Sequence, residues 1–315
     1  MSDGTQPAIE FSNVSRWYGD TVALADVSFT IGPGVTGLLG HNGAGKSTAL
    51  RLCGGFSTPS AGSVRVLGMD PRRTPDVYRR LGIVPDHSPP WPFLTAREVV
   101  RLCARLRGVD DPDAAAARAL EEVDLLDAAD RPLGGFSHGM RQRVKLAQAL
   151  AHDPQVLLLD EPLNGLDPAQ RRHVSDLLQQ LGEAGRTVIV SSHVLHEVER
   201  MAPRVLVLVN GRLVAEGETA EIRALISDRP RRVRVVTGGD PTPLARDLVG
   251  EAVVSAIELD GPRITVDTGD VERFSRLLPV VARRTQTTLE RVEPEGDDLE
   301  SVYAYLHDRA RGVAR

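Results

Sequence analysis

Cysteine is scarce in this sequence: only Cys53 and Cys103 occur in 315 residues, each within an apolar helical pattern. That excludes a disulfide framework and a cysteine-based metal cluster, and leaves both thiols as reduced core residues. Lysine is equally scarce. Of 38 basic residues only Lys46 and Lys145 are lysine; the rest are arginine. Long apolar runs are missing, because the most hydrophobic stretches, Val156–Leu159 and Val205–Val209, have strand length and a bilayer-spanning helix needs about 20 residues. The start of the chain, residues 1–7, lacks the apolar stretch of an export signal, so a cytoplasmic location is expected. A basic stripe is also missing. With a net charge of −5, the only dense cationic cluster is Arg229, Arg231, Arg232 and Arg234, which reads as a solvated linker and strand flank. From Arg229 onward 14 arginines face 15 acidic residues, so no nucleic-acid partner is expected.

What is present is globular composition, 41% hydrophobic and 26% charged, over a length suited to two domains. Ile9–Ser15 and Val22–Ile31 read as an antiparallel pair joined by a turn at Trp17, Tyr18, Gly19 and Asp20. From Val35 the pattern changes. Short apolar runs (Val35–Leu39, Val156–Leu159, Thr187–Ser191, Val205–Val209) alternate with helical stretches (Ala44–Cys53, Ala169–Leu181, Val194–Met201), which predicts a parallel sheet covered by helices. Between about 86 and 153 the texture is mostly helical. Thr95 and Glu98 have the spacing of a capping box, with Leu94 and Val99 as its hydrophobic staple, so a helix is predicted from there to about Arg107, and a second over Asp113–Val123. A linker is read at 228–232. Beyond it, strand, helix, two strands, helix and strand predict a small α+β domain of ferredoxin-like type over 229–315, closed by a helix over Asp298–Arg309.

Gly40, His41, Asn42, Gly43, Ala44, Gly45, Lys46, Ser47 and Thr48 fit G-x-x-x-x-G-K-[ST] between a predicted strand and a predicted helix. In that setting glycines let successive N–H groups turn inward onto phosphate oxygens, and the helix N-terminus adds its positive end. Lys46 brings a point charge to the phosphates and Ser47 an oxygen for Mg²⁺; the loop suits ATP or GTP. Asp160 and Glu161 end the buried run Val156–Leu159, where the first can hold Mg²⁺ through water and the second can polarise an attacking water. Taken alone, the same pair is equally a polar turn before Pro162.

In their order along the chain these parts resemble the nucleotide-binding subunit of an ATP-binding cassette (ABC) transporter. Tyr18 sits where that family places a ring against adenine. Phe136, Ser137, His138, Gly139 and Met140 are similar to the family signature, Asn164, Gly165, Leu166 and Asp167 to the D-loop, and His193 to the switch histidine. Alone, Tyr18 could be a turn aromatic, Ser137 a helix cap and His193 a cap for the helix after it. The resemblance implies an α/β P-loop NTPase cassette over 1–228, with a parallel core sheet, an antiparallel β subdomain and a helical subdomain, followed by the accessory domain. It further implies ATP and Mg²⁺ as ligands. Glu161, His193 and Lys46 would act in hydrolysis, with Ser47 and Asp160 toward the metal. Two cassettes would form a homodimer or pseudo-dimer in which residues 136–140 of one complete the ATP site of the other.

Two positions depart from the family pattern. Asp86 stands where a glutamine is expected after Ile83, Val84 and Pro85; its carboxylate can still reach Mg²⁺ through water, but it adds negative charge near the phosphates. In the signature, His138 and Met140 replace glycine and glutamine, whereas Ser137 and Gly139 are kept. The form of residues 136–143 and the appended tail, including Leu299–Tyr303, resemble the ABC-2 export subgroup, whose channel is a separate permease. That implies a peripheral subunit on the inner face of the cell membrane, with Trp91 and Phe93 in a proline-rich loop as docking aromatics or as local packing. A soluble ABC-type ATPase acting on ribosomes or nucleic acid is the alternative; a nucleotide sensor without turnover is opposed by Asp160, Glu161 and His193.

Overall fold

The computed structural model describes residues 7–86, 91–222 and 231–295. The chain falls into two compact units, Met1–Thr219 and Ala220–Arg315. Most of the expected 228–232 linker lies outside the described residues.

In the first unit β1 (Ile9–Tyr18) pairs antiparallel with β2 (Thr21–Ile31) on one edge and with β4 (Ala61–Val66) on the other. Burial alternates along β2: Val27, Phe29 and Ile31 point inward and Ser28 and Thr30 outward, the period of a strand with one wet face. Phe29 stacks on Phe11 with ring centroids 4.4 Å apart. The hairpin turn is shorter than the sequence suggests. Trp17 pairs with Val22 and Tyr18 with Thr21, so only Gly19 and Asp20 turn, with Gly19 at φ +57°.

The main sheet has the order β5 (Leu81–Val84), β6 (Val156–Leu159), β7 (Thr187–Ser192), β3 (Gly34–Leu39), β8 (Arg204–Val209), β9 (Arg212–Glu218). Pairing is parallel from β5 through β8, and β9 returns antiparallel along β8. Every residue of β6 and β7 is buried, as expected where helices cover both faces of a parallel sheet. β4, β5 and β9 are not anticipated from sequence. β4 buries only Val64 and Val66, β9 buries no residue, and β5 is four residues long with Gly82 inside it. Because β6, β7 and β3 are adjacent and parallel, their carboxyl ends open on one edge of the sheet, where α/β folds bind ligands.

Helix α1 (Lys46–Cys53) follows β3. The helical part holds α2 (Ala96–Leu106), α3 (Pro112–Glu122) and α4 (His138–Leu150). The capping box is formed: Glu98 N–H donates to Thr95 Oγ1 at 3.2 Å and Thr95 N–H to Glu98 Oε2 at 2.8 Å. Such a cap contributes about 1 kcal/mol. α5 (Pro168–Glu183) follows β6, and α6 is shorter than expected, Leu195–Glu199 rather than Val194–Met201. No helix among the described residues is long and apolar enough to cross a membrane.

The second unit runs β10 (Arg231–Thr237), α7 (Thr242–Val249), β11 (Val254–Asp260), β12 (Arg263–Thr268), α8 (Val271–Arg284) and β13 (Leu289–Glu295). Its sheet has the order β11-β12-β10-β13 with every neighbour antiparallel, the split βαβ arrangement. Val233, Val235, Ile264, Val266, Phe274 and Leu278 form its core. Arg232, expected in the linker, instead lies within β10, donating from Nε to Asp267 Oδ1 on β12 at 2.8 Å. The helix expected over 298–309 lies outside the described residues.

Candidate nucleotide-binding site

The loop from Gly40 to Lys46 leaves β3 and enters α1 along a path only glycine allows at three points, Gly43 among them at φ +85°. Gly45 has φ +108°, and a Cβ there would stand 2.6 Å from Ala23 O; a Cβ on Gly40 would stand 2.8 Å from Leu208 O. Gly45 caps α1 with no side-chain hydrogen bond, and the first turn carries no acidic residue. Its N–H groups therefore face outward for an anion. Lys46 is buried, and its Nζ donates to Gly40 O at 2.6 Å and His41 O at 3.2 Å. Ser47 is exposed beside it.

The ends of β6 and β7 bring the acidic residues to the same loop. Asp160 is buried and accepts from Ser191 Oγ at 2.6 Å; Glu161 N–H donates to that same Oγ at 2.9 Å. Ser191 thus orients both acids. Glu161 lies in the left-handed region at φ +48°, a conformation that costs a non-glycine residue about 1 kcal/mol or more and concentrates at functional sites. Its Oε1 is 3.4 Å from Lys46 Nζ, and its Oε2 is 3.0 Å from His193 Nδ1. A carboxylate only accepts, so the proton of that contact sits on Nδ1. His193 does not cap α6: Val194 occupies that position without a side-chain bond. The oxygens of Ser47 and Asp160 are the hard donors a Mg²⁺ ion prefers, and Ser191 fixes only one oxygen of Asp160.

The signature and D-loop residues pack on each other. Ser137 caps α4 by accepting from Met140 N–H at 3.2 Å, so its helix-cap reading holds in the structure. A Cβ on Gly165 would lie 1.9 Å from His138 Cδ2, and one on Gly139 would lie 3.0 Å from Gly165 O. The imidazole of His138 therefore occupies the space that Gly165 leaves open. Phe136 is buried with Arg131 over its ring at 5.7 Å. Within the D-loop, Asn164 N–H donates to Glu161 O at 3.2 Å, and Asp167 caps α5 through the N–H groups of Ala169 and Gln170, both at 2.9 Å.

Tyr18 ends β1 as an exposed ring with the Arg16 guanidinium 4.4 Å from its centroid and Ser57 Oγ 3.4 Å from its hydroxyl. The Ser57 contact holds the phenol below its ordinary pKa. Asp86 ends the described segment after β5, and its carbonyl accepts from Lys145 Nζ. Trp91 and Phe93 are exposed.

Sequence reasoning missed three residues at this site. Ser191 orients the acids, Gln142 Nε2 donates to Glu161 O at 3.3 Å, and Lys145 reaches the Asp86 loop. In the sequence Lys145 carried a signal as one of two lysines, and Gln142 as part of the run 136–143 that resembles the signature.

Over 307 residues, 96% of this chain and 94% of the relative, the sequence is 36% identical to the Nod factor export ATP-binding protein I of Rhizobium etli. The chain belongs to the ABC transporter family. The family model described as ABC transporter matches residues 24–164. The daunorubicin/doxorubicin resistance ATP-binding protein of Streptomyces peucetius is 37% identical over 237 residues, 73% of this chain and 72% of its own length. Among solved structures, the ATP-binding subunit of an ABC transporter aligns with a TM-score of 0.63 and 29% identity, over 69% of this chain and 92% of that one. A dimeric post-hydrolysis cassette bound to ADP and Pi aligns with a TM-score of 0.63 and 26% identity, over 67% of this chain and 98% of the other. As an ABC cassette the chain binds ATP and is an ATPase.

Proposed function

We propose that this chain powers the export of a solute through a separate membrane permease, by closing on a second cassette around ATP and reopening after hydrolysis. The observation that carries the hydrolytic part is Glu161, gripped by Lys46 on one oxygen and His193 on the other, at the mouth of the phosphate loop. Export is supported by the relatives, two of which are named for export and for drug resistance.

In this reading the N–H groups of residues 40–48 and Lys46 hold the phosphates, and the ring of Tyr18 offers adenine the face opposite Arg16. Ser47 and Asp160 would hold Mg²⁺, which would screen the charge of the phosphate oxygens. Glu161 takes the proton of the attacking water, and His193, protonated on Nδ1, keeps that carboxylate turned toward it. Ser137 and the Gly139 backbone donate to the γ-phosphate held by the partner cassette, so closure excludes water and completes the site. Asp86, after β5, would stand near that metal and reach it through water. Residues 229–315 form an accessory domain, and Trp91 and Phe93 offer the permease aromatic anchors at the membrane's inner face.

Glu161→Gln tests the hydrolytic assignment. It should bind ATP yet turn over about a hundredfold more slowly or worse; turnover at the wild-type rate would contradict it. Purification from native membranes tests the transport assignment: co-elution with a multi-spanning protein is expected, and co-elution with ribosomes instead would overturn it.

A further inference from the structure

In a chain that uses arginine almost everywhere, lysine stands at two positions, 46 and 145. Both ammonium groups do the same thing. Lys46 Nζ donates to the consecutive carbonyls of Gly40 and His41, and Lys145 Nζ donates to the consecutive carbonyls of Pro85 and Asp86, at 3.3 and 2.6 Å. A compact ammonium with three rotatable donors suits two neighbouring carbonyls on a curved loop.

Lys145 lies on α4 one turn beyond Gln142, so the two share a helix face. That face touches both sides of the hydrolytic site, Gln142 at the Glu161 carbonyl and Lys145 at the end of β5. The β5 end is in turn tied to the β6 end, because Asp160 N–H donates to Val84 O at 2.8 Å. Lys145 is half-buried there, within electrostatic reach of the carboxylates of both Asp86 and Asp160. Two carboxylates near a triphosphate repel it, and an ammonium within reach of both offsets that repulsion.

We propose that Lys145 is a positioning residue for hydrolysis: held against the Pro85 and Asp86 carbonyls, its ammonium supplies the charge that lets a carboxylate stand at position 86 close to the catalytic acids. This inference rests on the hydrolytic reading given above.

The test is a double-mutant cycle on the full chain, with steady-state ATP hydrolysis measured for Lys145→Met, Asp86→Gln and the pair, and Glu161→Gln alongside. Lys145→Met should lower kcat about tenfold or more while the KM for ATP moves less than about threefold, and in the Asp86→Gln background the same change should cost less than about threefold. Lys145→Gln, which keeps a donor but not the charge, should repeat that pattern and replaces Lys145→Met if the latter gives no cooperative thermal transition. Wild-type kcat in both Lys145 variants, or an equal loss in both backgrounds, overturns the proposal. Failure of the hydrolytic reading shows separately, as full turnover by Glu161→Gln.

Discussion

Lys46 Nζ stands 3.4 Å from Glu161 Oε1, an ion pair between side chains that are 6% and 12% exposed. The contact joins the phosphate loop to the acid at the end of β6, and it gives both charges a partner in a site too dry to leave them alone. Phosphate oxygens drawing on Lys46 compete with Glu161 for one ammonium. In the proposed mechanism this links ATP binding to the release of Glu161 toward water through a single side chain.

Lys46→Ala should weaken ATP binding about tenfold or more, the cost of one charge-assisted contact to phosphate. Titration of a fluorescent ATP analogue measures this directly. Unchanged affinity would mean that Lys46 serves only its loop carbonyls and Glu161.

His193→Ala removes the group that turns Glu161, without touching the phosphate loop. Its kcat should fall about tenfold or more, with ATP affinity within about threefold of wild type. Steady-state kinetics read alongside equilibrium binding separate the two. A collapse of binding with an unaffected rate per bound ATP would contradict the assigned role.

Gly165→Ala tests the packing of the signature on the D-loop. The new methyl would meet His138 Cδ2 at 1.9 Å on a backbone at φ +75°, so the cassette should lose about 1–3 kcal/mol and melt several degrees lower. Adding His138→Ala should recover part of the loss, since the clash is with that ring. An unchanged thermal transition in the single variant would show that the two loops are not packed as described.

Much of this site was legible in sequence because its chemistry is local. Gly40 to Thr48 is a contiguous motif between a strand and a helix, Thr95 and Glu98 announce a helix start, and Asp160 and Glu161 end an unmistakable buried strand. The ferredoxin-like order of the second unit was legible for the same reason, from alternating apolar runs and turns. What was hidden depends on distant parts of the chain meeting. Lys145 and Asp86 are 59 positions apart, and Ser191 meets Asp160 across 31. The space for His138 exists only because the D-loop folds back to place Gly165 against it. β9, with no buried residue, gave no periodicity to read.

The central claim is that two copies of this chain enclose ATP between them, each completing the other's site. Light scattering on size-separated Glu161→Gln chain at saturating ATP tests it most directly. The account predicts a species of twice the chain mass that requires ATP and disperses when Ser137 is also replaced by a bulky residue; a species of single-chain mass with ATP bound would contradict it.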